Sequence, residues 1–329
     1  MRSQLANKKR WVVKVGSSLL TANGQGLDHV LIQQWSEQIA KMIDNGCEVV
    51  LVSSGSIAEG MTRLGWVQRP RAVHDLQAAA AVGQMGLIRA YESAFKQFNR
   101  NTAQVLLTHE DMANRRRYLN ARATLSTLLG FGVLPIINEN DTVTTDEIRL
   151  GDNDTLAAMV VGLIEADVLV LLTDQEGLFD KDPSKYANAT LLNEANASDN
   201  AVKALAGPSG TEFGSGGMYT KILAAERAAL SGASTVIASG NIPDVLSRIR
   251  SGDRIGTLLS AEQRPRDARK RWLANQLHTK GTVTIDAGAV QNLCEKGSSL
   301  LAIGVVSCTQ DFQRGELVSC VDDTGHECA

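Results

Sequence analysis

Residues 167–179 read DVLVLLTDQEGLF. Five apolar residues in a row, 168–172, give way at once to Thr173, Asp174 and a glycine turn at Gly177. A strand with one wet face alternates apolar and polar residues. An unbroken apolar run of this length, ended by turn residues, describes a strand covered on both faces, as parallel sheets require.

Outward from this stretch the same texture returns. Residues 11–15 (WVVKV), 48–52 (EVVLV), 105–107, 133–137 and 235–238 are short β-rich runs. Between them the period lengthens. Leu31, Trp35, Ile39 and Met42 lie at helical spacing within 27–43, and Asn45-Gly46 follows as a stop. Helices are likewise expected over 76–98, 120–129, 154–164 and 220–230. Strands that alternate with helices predict an α/β fold, doubly wound around a mainly parallel sheet. Such folds bind ligands beyond the carboxyl ends of their strands, so the residues just after each strand carry the information.

Near residue 260 the texture changes. The segment 261–270 (AEQRPRDARK) is charged and holds Pro265. Beyond it, 281–286, 300–306 and 316–320 look like short strands, with a helical turn or two over 287–294. The expected organisation is a domain over 8–260, a linker over 261–275 and a small β-rich domain over 276–329. A length of 329 residues suits two domains.

Composition excludes several classes. Hydrophobic residues at 43% and charged residues at 21% are those of a globular protein rather than a disordered one. Lys+Arg total 33 against 36 Asp+Glu, so a purely electrostatic nucleic-acid or membrane binder is not expected. The five cysteines (47, 294, 308, 320 and 328) include no CxxC pair, which argues against a disulfide scaffold or a zinc site. No apolar run reaches the roughly 18 residues of a membrane span. The start, MRSQLANKKRW, lacks the apolar core of a secretory signal. A cytoplasmic protein is expected.

Five polar or glycine-rich segments fall where such a fold puts its ligands. Lys14 precedes Gly16-Ser17-Ser18. A lysine beside a glycine turn can reach a phosphate held by backbone N–H groups, or it can simply point to solvent. Residues 215–221 (SGGMYTK) form a glycine loop that opens a helix, with Lys221 one turn in. The loop is not a Walker A sequence, since GxxxxGK[ST] is absent. Asp141, Asp152, Asn153 and Asp154 cluster with three explanations open: metal coordination, amine recognition and helix N-capping. Thr173-Asp174 is either a plain turn or the border of a nucleotide. His74, His109 and Arg115–Arg117 read as ordinary surface or cap residues.

Two lysines, two glycine loops and several carboxylates on one sheet edge fit phosphoryl transfer. Its transition state is stabilised mainly by positioning and by cations and N–H groups around the transferred oxygens. No Ser/His/Asp arrangement competes, and no GxGxxG follows the first strand.

The segments WVVKVGSSLL (11–20), VVLVSSGSIAEG (49–60), VLPIINENDTV (133–143), RLGDNDTLAA (149–158), VLLTDQEGLFDKDP (170–183) and GSGGMYTK (214–221) together resemble the glutamate 5-kinases of the amino acid kinase family. The resemblance runs from about residue 10 to about 259. KRWLANQL (270–277), GSSLLAIGV (297–305) and FQRGELV (312–318) resemble the PUA domain that follows the kinase in many bacterial members. That domain is expected to be incomplete here. The resemblance implies transfer of the ATP γ-phosphoryl group to the γ-carboxylate of L-glutamate, with Mg2+ on the nucleotide, at the first step of proline biosynthesis. It also implies inhibition by proline and a homo-oligomer.

Carried over by motif, Lys14, Lys221 and Asp154 would be catalytic, with Asp154 orienting the two lysines. Ser54, Asp141 and Asn153 would hold glutamate. ATP would meet Lys14, Gly16, Thr173, Asp174, Ser215, Gly216, Gly217, Met218, Tyr219, Thr220 and Lys221. Gly16 and Gly55 would offer backbone N–H groups. No residue is expected to ligate a metal. No general base is required, because the attacking carboxylate is already ionised at neutral pH. RNA binding by the tail is not expected, since 261–329 holds 8 Lys+Arg against 9 Asp+Glu. An RNA-binding regulator acting through that tail is the alternative of a different class.

Overall fold

The computed structural model describes residues 2–21, 26–144, 153–205, 217–261, 281–294, 298–312 and 318–328. The chain forms two compact units, Met1–His109 with Ala121–Trp272, and Glu110–Asn120 with Leu273–Ala329. All but Ala261 of the linker expected at 261–275, and the first residues of the expected last domain up to 280, lie outside the described residues.

The first unit holds an eight-stranded sheet made of β1 (Arg10–Val15), β2 (Glu48–Ser53), β3 (Thr102–Leu107), β4 (Leu134–Glu139), β5 (Val168–Thr173), β6 (Glu194–Asn196), β7 (Ser234–Ser239) and β8 (Thr257–Ser260). The spatial order is β3-β4-β2-β1-β5-β7-β8-β6. Every neighbouring pair is parallel except β7 with β8. All residues of β5 are buried, as its unbroken apolar run requires, whereas the edge strand β3 keeps only Leu107 buried.

The helices are α1 (Ser17–Leu20), α2 (His29–Asp44), α3 (Ser56–Leu64), α4 (Val73–Lys96), α5 (His109–Ala113), α6 (Arg115–Gly130), α7 (Asp154–Ile164), α8 (Asn200–Leu205), α9 (Met218–Leu230), α10 (Val245–Ser251) and α11 (Ala287–Cys294); most of α5, the start of α6 and all of α11 belong to the second unit. Strand alternation sorts side chains between two layers. Trp11, Val13 and Val15 pack with Trp35 and Ile39 of α2 and with Tyr91 and Phe95 of α4. The other face of β1, which carries Val12 and Lys14, is the one α7 covers; α9 packs on α7 and on β7. Helix α7 is apolar almost all round and buried throughout except at Thr155, as a helix inside a layered core must be. Asp28 begins α2 by accepting from the N–H groups of Val30 and Leu31, each at 3.0 Å.

Two further contacts hold the frame. Helices α3 and α4 cross so closely that a Cβ on Gly60 would lie 1.7 Å from the Ala79 carbonyl oxygen, and one on Gly83 1.8 Å from that of Ser56. At the far edge, the buried Arg2 guanidinium donates to the carbonyls of Asn193, Asp253, Ile255 and Gly256 at 2.7–2.9 Å.

Several elements differ from the sequence expectation. Helices α1, α3, α5, α8 and α10 and strands β6 and β8 are additional, and α6 begins at Arg115 rather than near 120. In the second unit, β9 (Gly281–Ile285) lies between β10 (Val305–Cys308) and β11 (Val318–Val321), antiparallel to the first and parallel to the second. The strand expected over 300–306 starts only at Val305, because Ala302–Gly304 close a 3-10 turn in which the Gly304 N–H donates to Leu301 O. Val283, Ile285 and Cys320 form this unit's core against Val290 and Leu293 of α11. Among the described residues, no helix is long and apolar enough to cross a membrane.

Candidate active site

Parallel pairing fixes where strands end. Val15 is level with Ser53 of β2 and Leu172 of β5, and Thr173 with Ser239 of β7. The segments that follow β1, β2, β4 and β5 therefore open onto one edge, where a cavity of about 340 Å³ lies. Its wall includes Lys14, Gly16, Ser54, Asp141, Asn153, Thr173, Asp174 and Lys221, all anticipated from the sequence.

Lys14 leaves β1 on the α7 side and its Nζ meets Asp154 Oδ1 at 2.5 Å. Lys221, from the first turn of α9, meets Asp154 Oδ2 at 3.0 Å. The Thr220 hydroxyl donates to that same oxygen at 3.1 Å and to the Gly217 carbonyl at 2.7 Å. Asp154 is fully buried and the lysines are 3% and 5% exposed. Burial alone would raise the Asp154 carboxyl, but the two ammonium groups outweigh it and hold it below the ordinary carboxylate range. One carboxylate thus fixes two cations, 207 positions apart in the chain, at the same wall.

The other end of the site belongs to β4. Two strand spacings, about 10 Å, separate the end of β4 from that of β1. Here Asp141 accepts from the Ser56 hydroxyl at 2.9 Å. Burial pushes its carboxyl up to about 6; Glu139 adds to the rise, while the Ser56 hydrogen bond and the Arg69 guanidinium oppose it. Glu139 also lines the cavity and pairs with His109 Nδ1 at 3.2 Å. Ser54 Oγ is buried without a hydrogen-bond partner among the described residues, on the cavity wall. A buried hydroxyl of this kind is an open place for a ligand's polar group.

Two expectations change in detail. Gly16 does not have its N–H to spare, because the β1–β5 ladder runs one residue further and the N–H donates to Leu172 O at 3.1 Å. A Cβ at Gly16 would make only ordinary contacts, 3.4 Å to the Leu172 carbonyl oxygen and 4.0 Å to the Lys14 Nζ, so neither a free N–H nor lack of space marks this glycine. Asn153 stands at the N-cap position of α7, yet its side chain does not cap the helix. Its amide donates instead to Ser53 O at 2.6 Å and to Asn138 Oδ1 at 2.7 Å, tying the ends of β2 and β4 together. Gly217, Met218, Tyr219 and Thr220 lie on the α9 start but not on the cavity wall. Asp152, Ser215 and Gly216 lie outside the described residues.

The sequence reading missed Ser56, Arg69, Asn138 and Glu139. Asn138 and Glu139 sit in the quoted NENDTV segment and were reachable from it. Ser56 likewise sits in the quoted VVLVSSGSIAEG segment, whereas Arg69 carries no local signal; only the connection between α3 and α4 brings it to the cavity.

Among known proteins, the amino acid kinase family matches residues 9–239 and the PUA domain residues 281–329. The glutamate 5-kinase of Nitrosococcus oceani is 60% identical over 328 residues, which span 100% of this chain and 88% of that protein. That of Thioalkalivibrio sulfidiphilus is 58% identical with the same coverage. Among solved structures, a UMP kinase from Bacillus anthracis aligns with a TM-score of 0.55 at 16% identity, covering 78% of this chain and 97% of its own. An isopentenyl phosphate kinase from T. acidophilum gives 0.53 at 18%, covering 76% and 100%. These two share the fold. The sequence match covers well over half the chain and takes in both lysines and the carboxylate between them, and on that footing the chain belongs to the amino acid kinase family.

Proposed function

We propose that the protein transfers the γ-phosphoryl group of ATP to the γ-carboxylate of L-glutamate, giving γ-glutamyl phosphate and ADP at the first step of proline biosynthesis. Relatives named glutamate 5-kinase at about 60% identity support the substrate. The single observation that carries the chemistry is the convergence of Lys14 and Lys221 on Asp154 at the wall of one cavity.

A carboxylate that attacks a triphosphate brings two anions together, and Coulomb repulsion must be offset before the reacting atoms can meet. The two ammonium groups supply that offset where charge accumulates on the transferred phosphoryl oxygens. A carboxylate oxygen of glutamate forms the new bond to phosphorus. The bond from phosphorus to the β–γ bridging oxygen breaks, and its electron pair leaves with ADP. No proton moves, so no base is used. Asp154 acts through the lysines by holding both ammonium groups in register. Ser54, Asp141 and Asn153 are assigned to glutamate, with Asp141 facing its α-ammonium. Thr173, Asp174 and residues 215–221 are assigned to the nucleotide.

Among the described residues no group of three potential ligands is placed to hold a metal ion, and Asp154 is already committed to the lysines. Mg2+ is therefore assigned to the ATP oxygens as part of the substrate. Proline also carries a cationic nitrogen, a secondary ammonium, next to an α-carboxylate, so feedback inhibition at the glutamate end is part of the proposal. A homo-oligomer in the cytoplasm, with a domain boundary in 261–275, completes it.

Trapping the acyl phosphate with hydroxylamine tests the reading. Glutamate- and ATP-dependent hydroxamate that falls as proline is added is the expected result. Hydroxamate formed equally well with aspartate or N-acetylglutamate would move the substrate assignment elsewhere in the family.

A further inference from the structure

Arg69 lies in the 65–72 connection between α3 and α4, and Pro70 confines its backbone to extended conformations. Its side chain lines the same cavity as Ser54 and Asp141 and acts electrostatically on Asp141. Arg63, six residues earlier, is tied to Glu59 at 2.6 Å. Among the described residues Arg69 has no salt-bridge partner. The cavity thus holds three cations among its described lining residues: Lys14, Lys221 and Arg69. Two are fixed on Asp154, beside β1; the third faces the β4 end.

This distribution matters because of the substrate's own charges. An amino acid whose ammonium pairs with Asp141 carries its α-carboxylate only two bonds away. That anion then falls next to Asp141 and Glu139, two carboxylates that repel it. A cation is needed on that side, and a guanidinium is suited to it, since it can grip a carboxylate with two parallel N–H bonds.

We propose that Arg69 binds the α-carboxylate of the amino acid substrate, so that Asp141 and Arg69 together read its zwitterionic head while the side-chain carboxylate faces the lysines. The assignment rests on the glutamate reading above and sharpens it: the enzyme selects for a free α-carboxylate as well as a free α-ammonium.

The test compares L-glutamate with its α-amide, L-isoglutamine, which keeps the ammonium and the γ-carboxylate. Hydroxamate formation is measured for the wild type, Arg69→Gln and Arg69→Lys. In the wild type the α-amide should be a poor substrate. Arg69→Gln should raise the KM for glutamate roughly 10- to 100-fold, the size expected for a lost charge-assisted pair, while the KM for ATP stays put. The preference for glutamate over the α-amide should collapse in Arg69→Gln and partly return in Arg69→Lys. An unchanged glutamate KM in Arg69→Gln, or a wild type that accepts the α-amide as readily as glutamate, overturns the role of Arg69 and leaves the kinase reading standing. A wild type that forms no glutamate-dependent hydroxamate overturns both.

Discussion

Asp154 and Asp141 show how the same side chain is tuned in opposite directions at two ends of one sheet edge. Asp154 is pulled down by two lysines; Asp141 is pushed up by burial. Lys221→Ala should lower turnover by about 100-fold or more, the usual cost of losing a preorganised transition-state donor. Lys14 still neutralises Asp154 in that variant, so the thermal melt should move by only a few degrees; wild-type turnover would reject the catalytic role. For Asp141 the sign of the pH effect follows from its raised value. The folded carboxyl titrates near about 6 and an unfolded one near 3.9, so its contribution to stability is fully present below about 4 and is lost as pH rises through 6. Only the ionised form pairs with an ammonium. kcat/KM for glutamate should therefore climb as pH rises through about 6, with the KM for ATP flat over the same range. Asp141→Asn should abolish that climb, and a profile identical to wild type would remove Asp141 from the glutamate site.

At the level of elements, the crossing of α3 and α4 sets the wall of the site. Gly83 abuts the Ser56 carbonyl, and Ser56 in turn holds Asp141. Gly83→Ala should cost about 1–3 kcal/mol by overpacking, read from the denaturant midpoint, and should also raise the glutamate KM because Ser56 must shift. One of the two glycines that permit this crossing also explains why α3 was not legible in the sequence. Gly60 interrupts a nine-residue helix and lowers its propensity, while its real purpose is close approach to Ala79. Strands β1, β2, β5 and β7 were legible because a strand buried on both faces must be apolar throughout, and their ends then named Lys14, Ser54, Thr173 and Asp174. Strand β6 has three residues and β8 four, too short for any period to declare itself. The partners of Asn153 were equally hidden: a local reading makes it a helix cap, and only the pairing of β2 with β4 brings Ser53 and Asn138 within reach.

Across the first unit, the start of the chain closes the sheet at its opposite margin. Arg2 collects four carbonyls from the segments that lead into β6 and β8. Charge-assisted bonds of this kind are strong, and their loss strands buried acceptors. Arg2→Ala should therefore cost about 2–5 kcal/mol by urea unfolding, without moving the KM for glutamate. A variant as stable as wild type would mean that water satisfies those carbonyls instead. The burial of the lysine pair also bears on how the protein meets amine-acylating reagents. Surface lysines such as Lys9 and Lys185, whose side chains are 72% and 74% exposed, should be consumed first. Lys14 and Lys221, shut in with their shared counter-ion, should be acylated only as fast as the surrounding layers breathe, so mass-spectrometric footprinting over time would report the opening of this one corner of the molecule.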